Sequence, residues 1–427
     1  MPTQRAMSNL LFRDDGLERC LMQILMVSDV YFPRVNGVST SIQTYRSDLM
    51  AAGHRCLLVA PEYPTAAADD DELFRLPSRR IPRDPEDRLL SMRALRQWGK
   101  ALEPGEIDIV HVQTPFAAHY AGLRIARHLG VPVVESYHTY FEHYLHHYVP
   151  ALPSMLTRRF ARRVTVSQCH QVAQLISPSR QMADALREYG VKTPIEILPT
   201  GLPPESYTVG DGSRFRALHG IPAERPLALF VGRVAHEKNI DFLVRMLGAL
   251  RAKCADALLV IAGEGPAQEH LRRLVTGLGL EANVLFVGYM DRHTTLRDCY
   301  RAADVFVFAS RTETQGLVLL EAMAQGTPVV STAVMGTVDV LTGAAGAVVV
   351  PEDEQVFAAA VAEVLLNPAR RAALSPLAAA DAQRWASAAM AARLVELYEQ
   401  VIANHSSQSG ALRSNSTSAS AQYRTHA

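Results

Sequence analysis

Short, unbroken apolar runs recur through the first half of the chain: "QILMVSD" (23–29), "CLLVAP" (56–61), "DIVHVQTP" (108–115), "VPVVESYHT" (131–139), "QLISPS" (174–179) and "IEILPTG" (195–201). Runs without polar alternation fit parallel strands covered on both faces. Between them, apolar positions return at intervals of three and four. Ile42, Tyr45, Leu49 and Ala52 form one such stripe, and Gly53 follows where a helix is expected to end. Strand, helix, strand alternation predicts an α/β chain with a doubly wound sheet.

The stretch "PTGLPPESYTVGDGS" (199–213) breaks this rhythm with Pro, Gly and Ser and reads as a linker. The rhythm then restarts with "PLALFVGRV" (226–234), "ALLVIAGEGP" (257–266), "NVLFVGYM" (283–290), "DVFVFAS" (304–310), "PVVS" (328–331) and "AVVVPED" (347–353). The expected organisation is an N-terminal extension (1–21), a first Rossmann-like domain (22–205) and a second (206–384). A helix (385–404) returning to the first domain and a disordered Ser-rich tail (405–427) complete it. Two such domains are expected to face each other across a cleft at the carboxyl ends of their strands.

Length agrees, since 427 residues exceed one typical core. Lys+Arg equals Asp+Glu at 43 each, so no global field draws the chain to nucleic acid. The five cysteines are scattered without CxxC spacing, which argues against a disulfide frame or zinc ribbon and for a reducing cytosol. No apolar run approaches a membrane span, and residues before Met22 include Arg13, Asp14, Asp15, Glu18 and Arg19 instead of an apolar signal core.

The chemistry concentrates in "ASRTETQGLVLLEAMAQGTPVV" (309–330), where two glutamates interrupt an apolar segment. The pattern predicts a strand, a turn at "RTETQ", and a helix that opens at Gly316 and closes at Gly326. The N–H groups of Gln315, Gly316, Leu317 and Val318 then form an anion site at the positive end of the helix. Glu313 precedes that site, and Glu321 lies one turn further on, where it can accept hydrogen bonds from a diol such as ribose. In "FVGRVAHEKN", Arg233 follows a strand and Lys238 opens a helix, a guanidinium and an ammonium suited to neutralising a leaving diphosphate. In "RVNGVST", Gly37 permits close backbone approach at a helix start. Gly263 in "GEGP" reads as a strand-end turn approaching the nucleotide, and Gly288 is assigned to the same side.

The order and spacing of "NGVSTSI", "VGRVAHEKN", "AGEGP", "AADVFVFAS" and "ETQGLVLLEAMAQGTPVV" resembles the group 1 family of retaining glycosyltransferases, which have the GT-B fold. The resemblance runs from Met22 to about Ala403. It implies that Arg233 and Lys238 hold the donor diphosphate, that Glu313 lies near the donor sugar, and that Glu321 holds the ribose. No metal or cofactor is then required beyond the nucleotide-sugar donor. "TETQGL", "SYHTYFEHYLHHYVP" and "EILPTGL" look more like diacylglycerol glucosyltransferases and their sulfoquinovosyl and mannosyl relatives. One departure from the family is "HVQTP", where Gln113 replaces a second histidine and cannot carry a proton.

His138 in "SYHT" reads equally as a core histidine or a sugar contact. His143, His146 and His147 lack zincin spacing, and Asp69-Asp70-Asp71 reads as a solvated charge run instead of a metal motif. Arg158, Arg159, Arg162 and Arg163 gather on one side of a helix, with Met155, Leu156, Phe160 and Val164 as the apolar counterpart and Tyr137, Tyr140, Phe141, Tyr144 and Tyr148 upstream. This predicts docking on an anionic membrane surface and a membrane-lipid acceptor, hence a cytoplasmic protein peripheral to the inner face of the membrane. The alternatives are a nucleotide-sugar-binding protein without transferase activity and a nucleotide-sugar epimerase on the same fold.

Overall fold

A computed structural model describes residues 21–64, 70–81, 84–138, 154–291 and 294–422. Most of the anticipated strands are present. In chain order they are β1 (Gln23–Val27), β2 (Arg55–Pro61), β3 (Leu73–Leu76), β4 (Ser78–Ile81), β5 (Asp84–Leu90), β6 (Ile109–Val112), β7 (Val133–Ser136), β8 (Gln174–Ser177) and β9 (Ile195–Ile197). They are followed by β10 (Leu227–Val231), β11 (Leu258–Ala262), β12 (Val284–Gly288), β13 (Val305–Phe308), β14 (Val329–Ser331) and β15 (Ala347–Val349).

One sheet has the order β3-β2-β1-β6-β7-β8-β9 and the other β12-β11-β10-β13-β14-β15. The registers within both sheets are parallel, for example Met26 opposite Leu58 and His111, and Leu229 opposite Val260 and Phe306. The apolar runs are continuous because helices cover both faces: β6, β7 and β10 are buried from end to end. The short antiparallel hairpin β4-β5 and the edge strand β3 have no counterpart among the apolar runs.

The chain divides into two compact units. The first takes residues up to Ser177, Leu186–Glu196 and the chain from Ala391 onward; the second takes Pro178–Ala185 and Ile197–Met390. In the first unit, the last helix (Ser387–Gln422) buries Leu394 and Tyr398 completely. The Tyr398 hydroxyl meets His111 Nδ1 at 2.6 Å, and His111 Nε2 meets Ser136 Oγ at 2.9 Å. Both ring nitrogens of a buried histidine on β6 are therefore satisfied, one of them by this helix. The Ser-rich segment read as a disordered tail instead continues the helix to Gln422; with no Pro in it, nothing blocks propagation from the anchored turns.

Within the acidic run, Asp70 and Asp71 are exposed, as expected, but Asp70 also has a structural partner. Asp70 grips the buried Arg46 through two 2.6 Å bonds, which hold its carboxyl below the usual carboxylate range. Half-exposed itself, it is the counter-charge of an interior guanidinium. Asp69, His143, His146, His147 and the aromatics from Tyr140 to Tyr148 lie outside the described residues.

In the second unit, the turns at the carboxyl ends of β10, β11 and β12 press backbone on backbone. Gly232 N–H donates to Ala262 O at 3.0 Å, Val234 N–H to Glu264 O at 2.9 Å, and Gly263 N–H to Gly288 O at 2.7 Å. A Cβ on Gly263, whose φ is +133°, would stand 2.0 Å from the Gly232 carbonyl oxygen. Replacing Gly263 by Ala should therefore cost about 3 kcal/mol or more. Gly248→Ala, in helix Ile240–Arg251 with nothing within 4 Å of the new methyl, should instead stabilise by about 0.5–1 kcal/mol. Urea denaturation of the two variants checks the contrast.

Candidate active site

The second unit carries the charged candidates on two loops. The loop after β10 begins at Gly232, exposes Arg233 and tightens into a single 3₁₀ turn, His236–Lys238. Asn239 ends that turn in the left-handed conformation, with φ 56°, and is 2% exposed. Its side-chain N–H donates to Ala309 O at 3.1 Å, fastening this loop to the one after β13. An Asn tolerates that backbone conformation better than most residues and supplies the tether at once.

The loop after β13 brings Glu313 to Lys238. The Lys238 ammonium lies 2.5 Å from Glu313 Oε1, with the two side chains 18% and 17% exposed. Gly316 follows with φ 91° and caps the helix Leu317–Ala324 without a side-chain bond, so the first-turn N–H groups of Leu317 and Val318 open the helix. Gln315 turns away from that anion site. Its amide oxygen accepts from Thr200 N–H at 2.9 Å and its amide nitrogen donates to Thr200 O at 2.7 Å, so its side chain is a backbone clip.

Glu321, one turn into the helix, is 8% exposed and accepts from the Tyr300 hydroxyl at 2.8 Å. Tyr300 is itself 1% exposed. A buried carboxylate needs such a donor, and the bond fixes which way the carboxylate faces. Beneath the turn, Gly336 N–H donates to Glu313 O at 3.0 Å, and a Cβ on Gly336 would stand 2.0 Å from Thr314 O. Ala333 and Met335, with φ 50° and 55°, hold this supporting loop in a costly backbone form. Gly263 and Gly288, read as nucleotide-facing, are engaged in the strand-end packing; a Cβ on Gly288 would also come 3.3 Å from Glu264 Oε1.

The first unit carries the remaining candidates. Asn36 caps the helix Gly37–Ala51 by accepting from Ser39 N–H at 2.8 Å, and a Cβ on Gly37 would meet nothing within 4 Å. Packing within the protein therefore does not require that glycine. Gln113 and His138 come together, with Gln113 Oε1 and His138 Nε2 3.1 Å apart. Burial pushes the His138 imidazole down to about 4, and burial, then the neighbouring His138, pushes His111 down to about 3. Both rings are neutral near pH 7. Asp29 at the end of β1 accepts from Thr114 Oγ1 and Ala118 N–H, each at 2.9 Å, while burial raises its carboxyl to about 6.

Sequence reasoning singled out Glu313 and Glu321 as charges in an apolar segment and Lys238 as a cation at a helix start, and the structure brings Lys238 and Glu313 together. It missed Tyr300, Gly336, Asn239 and the Thr200 clip, whose partners lie far away along the chain. A buried aromatic next to "AADVFVF" was the available signal for Tyr300.

Residues 35–206 match the family described as Glycosyltransferase Family 4, and residues 212–380 match Glycosyl transferases group 1. The alpha-monoglucosyldiacylglycerol synthase of Streptococcus pneumoniae is 32% identical over 325 residues, covering 73% of this chain and 71% of that protein. The chain belongs to the group 1 glycosyltransferases. A GDP-mannose-dependent alpha-mannosyltransferase of Mycobacterium tuberculosis is 28% identical over 339 residues, covering 76% of this chain and 82% of its own length. The solved sucrose-phosphate synthase from Thermosynechococcus elongatus superposes with a TM-score of 0.73 at 21% identity, over 90% of this chain and 100% of that one. The fold is GT-B, as the sequence resemblance implied. Membership makes this chain a glycosyltransferase, in agreement with the sequence reading.

The paired shifts in this glycosyltransferase give its stability a defined pH dependence. The unfolded chain protonates His111 and His138 near 6.5, whereas the folded chain resists until about 3 and 4, so acidification through that window favours unfolding. Asp29 opposes this below about 6, because its folded form takes up a proton that the unfolded form refuses until 3.8. Between pH 6 and 4, these three groups should together cost about 1.4 kcal/mol per pH unit. Asp29→Asn removes the opposing proton, so that slope should steepen to about twice the value, which urea midpoints at stepped pH would read.

Proposed function

We propose that this glycosyltransferase moves a hexose from a nucleotide-diphosphate sugar to a hydroxyl of a membrane glycerolipid, with retention at the anomeric carbon. The observation that carries the reading is the 2.5 Å pairing of Lys238 with Glu313, just ahead of a helix whose first-turn N–H groups are open and whose Glu321 is oriented by Tyr300. In this reading Lys238, Arg233 and the N–H groups of Leu317 and Val318 hold the donor diphosphate and stabilise the charge that grows on it as the glycosidic bond breaks. Glu321 accepts from the ribose hydroxyls. Glu313 accepts from hydroxyls of the sugar, and the departing phosphate takes the acceptor proton. The neutral His138 and Gln113 bind sugar or acceptor through hydrogen bonds, since an imidazole pushed down to about 4 carries no proton to give near pH 7. No metal enters this scheme.

The names of the relatives support glucose or mannose as the sugar, and diacylglycerol as the acceptor. Incubating the protein with UDP-glucose or GDP-mannose and diacylglycerol should yield a glycolipid whose anomeric proton shows the α coupling by NMR. Lys238→Ala should lower kcat by roughly 100-fold or more with the fold intact by circular dichroism. A free epimerised nucleotide sugar without glycolipid would favour the epimerase alternative, and binding without product the non-catalytic one.

Membrane docking is the second part of the proposal. No helix among the described residues is long and apolar enough to cross a membrane. In helix Ser154–Cys169, Ala161 and Thr165 face inward, at 0% and 3% exposure, while Arg159, Arg162 and Arg163 are exposed. Phe160, expected on the apolar side, is 63% exposed among these arginines, a placement that suits insertion between lipid headgroups better than core packing. Arg162 also lies over the Tyr189 ring at 4.6 Å, and the Arg158 side chain lies outside the described residues. The wild type should sediment with anionic vesicles at low salt and be released at high salt. A variant combining Arg159→Gln, Phe160→Ser and Arg163→Gln should stay in the supernatant, and equal partitioning of the two would remove the docking claim.

A further inference from the structure

Two loops must hold Lys238 against Glu313, and a third loop, after β15, reaches both of them. Glu352 on that loop takes the Arg311 guanidinium in a two-pronged grip, with Arg311 Nε donating to Glu352 Oε2 at 3.0 Å and a terminal guanidinium nitrogen contacting Oε1. The Asn239 side chain, bonded to Ala309 O, also helps to hold the Glu352 carboxyl below its ordinary range. Arg311 lies two positions before Glu313 and Asn239 lies one after Lys238, so a single carboxylate is bonded beside one half of the charged pair and influenced from beside the other. The backbone adds one further link, from Arg311 N–H to Glu237 O at 3.4 Å, which is long and weak. With the Lys238–Glu313 contact itself, the Arg311–Glu352 pair and the Arg311 N–H to Glu237 O link join the three loops around the charged pair.

We infer that Glu352 is a positioning residue for sugar transfer, acting through Arg311 and Asn239 to fix the separation of Lys238 and Glu313. An ion pair whose members are 57% and 31% exposed contributes little to overall stability. A two-pronged guanidinium–carboxylate pair nevertheless fixes direction as well as distance. Arg311 and then Asn239 hold the Glu352 carboxyl below its ordinary range, so it stays ionised well into acid. The inference rests on Lys238 and Glu313 serving the transfer step, as proposed above.

The test compares the full-length protein with Glu352→Ala, Arg311→Ala, the double variant, Glu352→Gln and Lys238→Ala, using UDP-glucose and GDP-mannose as donors. Glu352→Ala should lower kcat about 10- to 100-fold at saturating donor, the scale of a misplaced reacting group. Affinity for UDP or GDP should change less than about threefold, because the ground state tolerates displacement that the transition state does not. Arg311→Ala should match it, and the double variant should be no worse than either single within about threefold, since both break the same link. Glu352→Gln, which keeps an acceptor for Asn239, should fall between wild type and Glu352→Ala. Wild-type kcat in Glu352→Ala, or multiplying effects in the double variant, would overturn the inference. A kcat loss explained by a lowered melting temperature would overturn it as well. Should Lys238→Ala itself retain wild-type kcat, the proposed role of the charged pair fails instead, which separates the two readings.

Discussion

Lys238 and Glu313 meet because β10 and β13 are neighbours. In the second sheet the chain runs outward from β10 through β11 to β12, then returns to the other side of β10 and runs outward again through β13 to β15. The crossovers after β10 and β13 therefore run to opposite sides, the arrangement that places ligand sites at the carboxyl ends of open parallel sheets. This sheet has one such reversal, and the loops flanking it carry the lysine and the glutamate. The later details follow from it: Asn239 can reach Ala309 only across adjacent strand ends, and Gly336 can support the Glu313 backbone only because β14 follows β13 in the sheet.

Much of this was legible in the chain. The apolar runs gave both sheets because a strand covered on both faces has no polar alternation to confuse it. The hairpin β4-β5 escaped notice because "SRRI" and "DPEDRLL" are charged edge segments, and β3 because "LFRL" is short and only half-buried. In the site, charged residues within apolar runs announced themselves, whereas their partners did not. Spacing along the chain says nothing of Tyr300 bonding Glu321 or of Gly336 pressing on Thr314, since these depend on which turns share an edge. Gln315 shows the converse: its place in the turn was read correctly, but its side chain serves Thr200.

The two units differ in electrical character at their candidate residues. In the second, ionised groups face one another in fixed pairs. In the first, desolvation leaves His111 and His138 uncharged, and Asp29 keeps its proton unusually long.

The Lys238 ammonium has an internal counter-ion in Glu313. A visiting anion does not find a naked cation; it must compete with a carboxylate for the same proton donors. Inorganic phosphate brings nothing to satisfy the carboxylate it would displace. A sugar diphosphate brings hydroxyls as well as charge, so it can engage the lysine and compensate the glutamate together. If Lys238 and Glu313 serve the transfer as proposed, their pairing favours a ligand that carries both charge and hydroxyls over a simple anion.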